Sequence, residues 1–182
     1  MRYRVGLETR TRILEATRDL VAEHGLDGTT IKAICDRAGI LAGSFYNLFV
    51  SKEEAIFTVV ADAIRAVDPD PDGSPTVAEL VEAYVDFIET REAAARVYLT
   101  VAVTGGLTDP DIRARMLRHH EHRVARFTDS LAPAKTDLTR EEVRQRVEAL
   151  LAALNGLAFH RLLDPDFDLR RHARGLLEIG AR

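Results

Sequence analysis

Residues 42–49 hold the side chains whose types and spacing best suit contact with another molecule. On a helical wheel at ~100° per residue, Phe45, Leu48 and Phe49 fall on one side. Ala42, Gly43, Tyr46 and Asn47 fall on the other. The first set is an anchor to a core. The second offers a backbone that can approach a groove closely, a hydroxyl that can donate to a phosphate, and an amide that can pair bidentately with adenine. A short helix over residues 29–38 precedes them, capped by Thr29 or Thr30, turned inward by Ile31 and Ile34, and ended by Gly39. Helix, glycine, helix at this spacing is that of a helix-turn-helix, whose second helix enters the major groove of DNA. The same spacing also fits a small helical subdomain with an idle polar face, and spacing alone leaves both open.

Other groups in the chain could do chemistry, and each has a plainer explanation. His119, His120, Glu121 and His122 look like a metal cluster, yet on a helix only His119 and His122, three apart, share a face. Asp68, Asp70, Asp72, Gly73 and Glu79 satisfy a calcium-loop pattern literally. Pro69, Pro71 and Pro75 stiffen that loop, no second loop accompanies it, and Glu79 serves a helix cap. Neither group is expected to bind metal. Cys35, the only cysteine, reads as a small buried apolar residue. No glycine-rich phosphate loop, catalytic carboxylate pair or nucleophile elbow is present, so neither an enzyme nor a cofactor is expected.

The elements that must position these residues are helical throughout, because apolar residues recur at steps of three and four with no strand-like alternation. A first helix covers residues 9–24, with Ile13, Leu14, Leu20 and Val21 inward and Gly25 as its stop. Ser51 and Glu54, Thr76 and Glu79, and Thr139 and Glu142 each form a capping box that opens a helix. Those helices run over residues 52–67, 77–89 and 140–163. Further helices are expected over 91–104, apolar on most faces and therefore central, over 110–131, and from the turn at 164–166 to 179. The proline-rich stretch 68–75 is the linker. The expected organisation is all-α: an N-terminal three-helix domain over residues 1–50, a connecting helix over 51–67, and a C-terminal helical domain over 68–182.

Composition agrees with a globular protein: 182 residues, 46% hydrophobic and 30% charged. The longest uncharged run, residues 38–51, is 14 residues, short of the ~18 that a membrane span requires. With no apolar leader at the start and one cysteine, the expected compartment is the cytoplasm, without a membrane partner. Net charge is −4 overall, but seven basic against six acidic residues make residues 1–50 slightly positive. A nucleic-acid partner would meet that end.

At this level of detail the residues match a family. The run 29–40 (Thr-Thr-Ile-Lys-Ala-Ile-Cys-Asp-Arg-Ala-Gly-Ile), then Gly43-Ser44-Phe45-Tyr46-Asn47-Leu48-Phe49, then Ser51-Lys52-Glu53-Glu54 resembles the DNA-binding domain of TetR-family regulators. Ile13-Leu14-Glu15-Ala16, Leu20 and Gly25 resemble its first helix, and residues 154–167 resemble the C-terminal end of many members. The chain departs from the pattern at Leu41, Ala42, Asn47, Leu48 and Val50, where members often carry polar, basic or histidine residues, so its recognition helix has no charge. The resemblance implies that Ala42, Gly43, Ser44, Tyr46 and Asn47 face DNA. Phosphate contacts would then come from Arg10, Arg12, Thr30 with its helix N-terminus, Lys32 and Lys52.

The resemblance further implies a homodimer reading a palindromic operator on double-stranded DNA, with repression relieved by a small-molecule effector. A helical ligand- or protein-binding module with little DNA binding is the alternative. The effector pocket would be mostly apolar, lined by Tyr84, Phe87, Tyr98, Met116, Phe127 and Phe159, with His120 and Asn155 as polar groups. On the helix over 140–163, Val143, Val147, Leu150, Leu151, Leu154 and Ala158 form a large aliphatic face. Ala149, Ala153, Gly156 and His160 form a second stripe of mostly small residues, which suits close approach of a partner helix. Leu169, Ala173, Leu176 and Leu177 of the last helix are expected to join them at the dimer interface, unless that helix folds back on its own chain.

Overall fold

In a computed structural model, residues 2–67, 73–131 and 138–180 are described. Asp68, Asp70 and Asp72 of the calcium-like pattern lie outside these residues. Among the described residues every regular element is a helix. The chain divides into two compact units, one of residues 1–65 with 93–113, the other of residues 66–92 with 114–182.

The N-terminal unit begins with α1 (Arg2–Gly28), α2 (Ile31–Ala38), α3 (Ala42–Tyr46) and α4 (Lys52–Val67). α1 starts earlier than its apolar pattern, since nothing in residues 2–8 but Gly6 opposes a helix. Gly25 interrupts it as expected, with a φ of 72° outside the helical region. The N-cap of α2 is Thr30, whose hydroxyl accepts from the Ala33 N–H at 3.1 Å. Gly39, which caps the C-terminus of α2, takes the left-handed conformation, φ 63°, which lets Ile40 N–H bond back to the Cys35 carbonyl and turns the chain toward α3. Ile13, Ala16, Leu20, Ile34, Cys35, Phe45, Phe49 and Ala55 pack as one core, with Phe45 fully buried. This unit also contains most of α6 (Glu92–Thr100), a π-helical turn (Val101–Gly105), α7 (Gly106–Thr108) and the start of α8 (Pro110–Leu131). The sequence pattern places residues 93–113 in the C-terminal domain, and the compact units place them with residues 1–65. Gly105 packs closely within this unit: a Cβ there would lie 2.9 Å from the Ile112 side chain and 3.1 Å from that of Leu26, which would have to shift.

The second unit is built from α5 (Val77–Thr90), the remainder of α8, α9 (Arg140–Leu163) and α10 (Leu169–Gly180). Both of its capping boxes form: the Thr76 and Glu79 pair opens α5, and the Thr139 and Glu142 pair opens α9. Its buried residues include Leu80, Val81, Tyr84, Val85, Phe87 and Ile88 of α5, and Val143, Val147, Leu151, Leu154 and Ala158 of α9. α10 packs on α5 and α9 of its own chain. Leu169 and Ala173 are fully buried there, which corrects their assignment to a partner-facing surface, while Leu176 and Leu177 are half-buried. Arg170 fastens the contact by bonding Glu82, Asp86 at 2.6 Å and Glu89 at 2.8 Å. None of the described helices is long and apolar enough to cross a membrane.

Candidate nucleic-acid interface

Helix α3 is short because its end tightens. Leu48 N–H bonds to the Phe45 carbonyl at 2.9 Å, three residues back, so residues 47–48 form a turn and Phe49, also expected as helix, lies beyond it. The division of faces holds. Phe45 and Phe49 are buried, their rings 5.7 Å apart, and Leu48 is half-buried. Ala42, Gly43, Tyr46 and Asn47 are exposed, and Ser44 is half-buried. Leu41, in the N-cap position, makes no side-chain cap bond and is 82% exposed. Val50, just beyond the turn, is 81% exposed. The cap at Ser51 follows, where Glu54 N–H bonds to the Ser51 hydroxyl while the Glu54 carboxylate accepts from Val50 N–H.

The cations around α3 have work within the unit. Lys32 pairs with Asp36 at 2.7 Å, an exposed contact that raises the lysine pKa. Arg37 grips both carboxylate oxygens of Glu23 at 2.8 Å and holds that acid below its ordinary range. Lys52 donates to the carbonyls of Leu26 and Thr29, at 3.1 and 3.0 Å, tying α4 to the entry of α2. Two of its three N–H donors are thus used internally. Arg10 lies over the Phe49 ring, 5.6 Å from its centre, and Arg12 is exposed. An exposed pair of this kind exchanges readily for a phosphate, so the rim stays able to meet an anionic backbone. Cys35 is buried, and burial pushes its thiol pKa up, away from reactivity.

The residues expected to line an effector pocket are distributed over both units. Tyr98 is buried in the N-terminal unit. In the second unit Tyr84, Phe87 and Phe127 are buried, Met116 and His120 are half-buried, and Phe159 is 58% exposed. Asn155 is brought to Tyr84, whose hydroxyl donates to its side-chain oxygen at 3.0 Å. Pattern reading missed Arg123. It is buried, its guanidinium stacks 4.8 Å from the centre of the Tyr84 ring, and one arm reaches the same Asn155 oxygen at 3.5 Å. It widens by one residue the buried face of α8 that holds Val124 and Phe127. On that face His119 is driven down to about 3, first by burial and then by the Arg123 charge. His122 is exposed, and among the described residues no three His, Cys, Asp or Glu side chains gather as a metal site.

On α9, Ala149, Gly156 and His160 are exposed and Ala153 is half-buried. The exposed apolar residues follow steps of three and four along Ala149, Ala152, Gly156, Phe159 and Leu163. Phe159 belongs to this stripe by position. His160 stacks on Phe167 at 4.2 Å, and Phe167 on His172 at 4.5 Å, which fixes the turn into α10.

Residues 13–57 match the model of the bacterial regulatory proteins of the tetR family. UidR of Escherichia coli K12, an HTH-type transcriptional regulator, is 32% identical over 117 residues, covering 62% of this chain and 59% of UidR. KstR2 of Rhodococcus jostii, an HTH-type transcriptional repressor, is 32% identical over 97 residues, covering 49% of this chain and 48% of KstR2. The chain thus matches under two thirds of UidR and about half of KstR2. The fatty acid degradation regulator FadR from Bacillus halodurans superposes with a TM-score of 0.77 over 94% of this chain and 93% of that one, at 18% identity, which is a likeness of fold.

Proposed function

The chain belongs to the TetR family of bacterial regulatory proteins, and from that premise we propose that it is a transcriptional repressor that binds a palindromic operator as a homodimer and leaves it when a small, mostly apolar molecule binds the second unit. The observation that carries this reading is the α2, Gly39, α3 unit, with Phe45 and Phe49 buried beneath Ala42, Gly43, Tyr46 and Asn47, which are exposed. Arg10, Arg12, Thr30, Lys32 and Lys52 surround that face as the source of phosphate contacts, with Ser44 beside it. Selection of duplexes from a random library at moderate salt tests the reading. An enriched palindrome whose affinity falls as salt rises supports it. Binding of no duplex above background rejects it in favour of a helical module that acts on other ligands.

The dimer is proposed to form through the exposed stripe of α9, Ala149, Gly156 and Phe159 among it, with His160 beside it and Leu176 and Leu177 at its edge. A Cβ at Gly156 would meet no atom within 4 Å of its own chain. Gly156→Glu is therefore tolerated by the folded chain and places two carboxylates against each other only in a dimer. Sedimentation should show dissociation with loss of operator binding. An unchanged dimer would move the interface elsewhere. For the effector, Tyr84, Phe87 and Phe127 are the apolar wall and Asn155, with Arg123, the polar anchor.

A further inference from the structure

Resting on the DNA-binding reading above, we infer that α3 reads its half-site through thymine methyl groups and adenine, and takes no specificity from guanine. The uncharged run over residues 38–51 contains the whole recognition segment. Guanine is read most often by an arginine or lysine paired to O6 and N7. No such side chain belongs to α3, and the neighbouring cations stand on other helices, Arg10 and Arg12 on α1, Lys32 and Arg37 on α2 and Lys52 on α4, where they are the rim that meets phosphate.

What flanks α3 instead is apolar. Leu41, just before it, and Val50, just beyond its closing turn, are more than four-fifths exposed, at 82% and 81%. Leu41 also occupies an N-cap position and makes no cap bond, where serine, threonine or aspartate would stabilise the helix. The free chain therefore gains nothing from leucine at this site: it loses a cap and leaves a large side chain in water. A surface that covers it in the complex accounts for both. The one apolar group on the major-groove edges of the bases is the C5 methyl of thymine, and Ala42 beside Leu41 is a second side chain of the type that meets it. Asn47, exposed one turn further on, supplies the amide that pairs with adenine N6 and N7. Gly43, where a Cβ would meet nothing within 4 Å, leaves the backbone free to come close to the groove floor.

The test uses the full chain and an enriched duplex. Each thymine of the selected half-site is replaced in turn by uracil, which removes only the methyl. One or two positions should weaken binding by about fourfold, the worth of one buried methyl. Leu41→Ala should weaken the thymine duplex by a similar factor and erase its preference over uracil at one of those positions. Since Leu41 is exposed, the variant should melt as the parent does. A half-site specified by guanine, or uracil tolerated everywhere without loss, would overturn the inference and leave the DNA-binding reading intact. Failure to enrich any duplex would overturn both.

Discussion

In the N-terminal unit the described core holds no charged residue, and its buried threonines, Thr17 and Thr29, each bond back to a backbone carbonyl of the preceding turn. The second unit keeps an obligatory cation inside: Arg123 lies under Tyr84 and shares the Asn155 oxygen with it. Burying a guanidinium costs several kcal/mol of lost hydration, offset here by a ring face and an amide acceptor. The N-terminal unit spends its cations on exposed pairs at the rim, where they contribute little to stability and remain exchangeable. One unit is thus a platform with its charge outside. The other has a polar heart, the kind of place where a ligand's polar group would be read.

The largest effect should come from the apolar platform. Phe45→Ala removes a side chain that is 0% exposed, at an expected cost of ~3–5 kcal/mol. Chemical denaturation should show the N-terminal transition collapse toward lower denaturant. Tyr46→Ala, its exposed neighbour, should change stability by less than ~0.5 kcal/mol. Equal losses at the two positions would mean that the division of faces on α3 is wrong.

In the polar unit the order of effects should be counterintuitive. Asn155→Ala removes the acceptor that serves both Tyr84 and Arg123, and should cost ~2–3 kcal/mol. Arg123→Met removes the buried charge itself and fills its space, so it should fall within ~1 kcal/mol of the parent or exceed it. Thermal melts of the two variants separate them. If Arg123→Met is the worse of the two, the guanidinium stabilises the fold, and the cluster is a structural tie.

How far all this could be read from sequence follows the same divide. The N-terminal unit depends on contacts close in the chain and on residues with one dominant use: Gly39 for a left-handed turn, Thr30 for a cap, Phe45 for the inner face. Such signals survive in a single sequence. The tightening of α3 after Tyr46 did not, since an i to i+3 bond leaves the apolar spacing unchanged. In the second unit, helix pattern located α8 and α9 and the aliphatic face of α9, of which Val143, Val147, Leu151, Leu154 and Ala158 are buried, but not the buried Arg123. The buried face of α8 is one residue wider than its apolar stripe and takes in Arg123 beside Val124, with His119 and His120 both half-buried, and Phe159 lies on the exposed side of α9. Arginine is so seldom buried that a wheel assigns it to solvent by default. Leu169 and Ala173 misled for another reason: an apolar stripe states that something covers it, and α5 and α9 of the same chain do so.

A pH series sharpens the contrast further. Folded His119 titrates near 3, against 6.5 without its surroundings. Above pH 6.5 both folded and unfolded chains hold it neutral, and it contributes no pH dependence. As pH falls from there, only the unfolded chain takes up the proton, so stability should decline by up to ~1.4 kcal/mol per pH unit until the folded group titrates. His119→Gln should flatten that decline in the second unit and leave the N-terminal transition as it was. An unchanged slope would show that His119 is hydrated in solution.

The smallest stability effect belongs to the rim, and it is the one that bears most on DNA. Arg37 is held by both oxygens of Glu23, and the two side chains are 37% and 48% exposed. A pair so open to water gives back in hydration nearly all that it gains in attraction. Glu23→Gln should therefore leave the melting temperature unchanged within error. It also frees a guanidinium beside α2 and raises the charge of the surface proposed to meet the operator. Affinity for every duplex should rise together, and the salt dependence should steepen by about one phosphate contact, without any change in the preferred sequence. An altered base preference would put Arg37 at a base edge and break the division between a neutral reading helix and a charged rim. A lowered melting temperature would mean that the rim holds the fold as well, and the two units would differ less than their buried groups suggest.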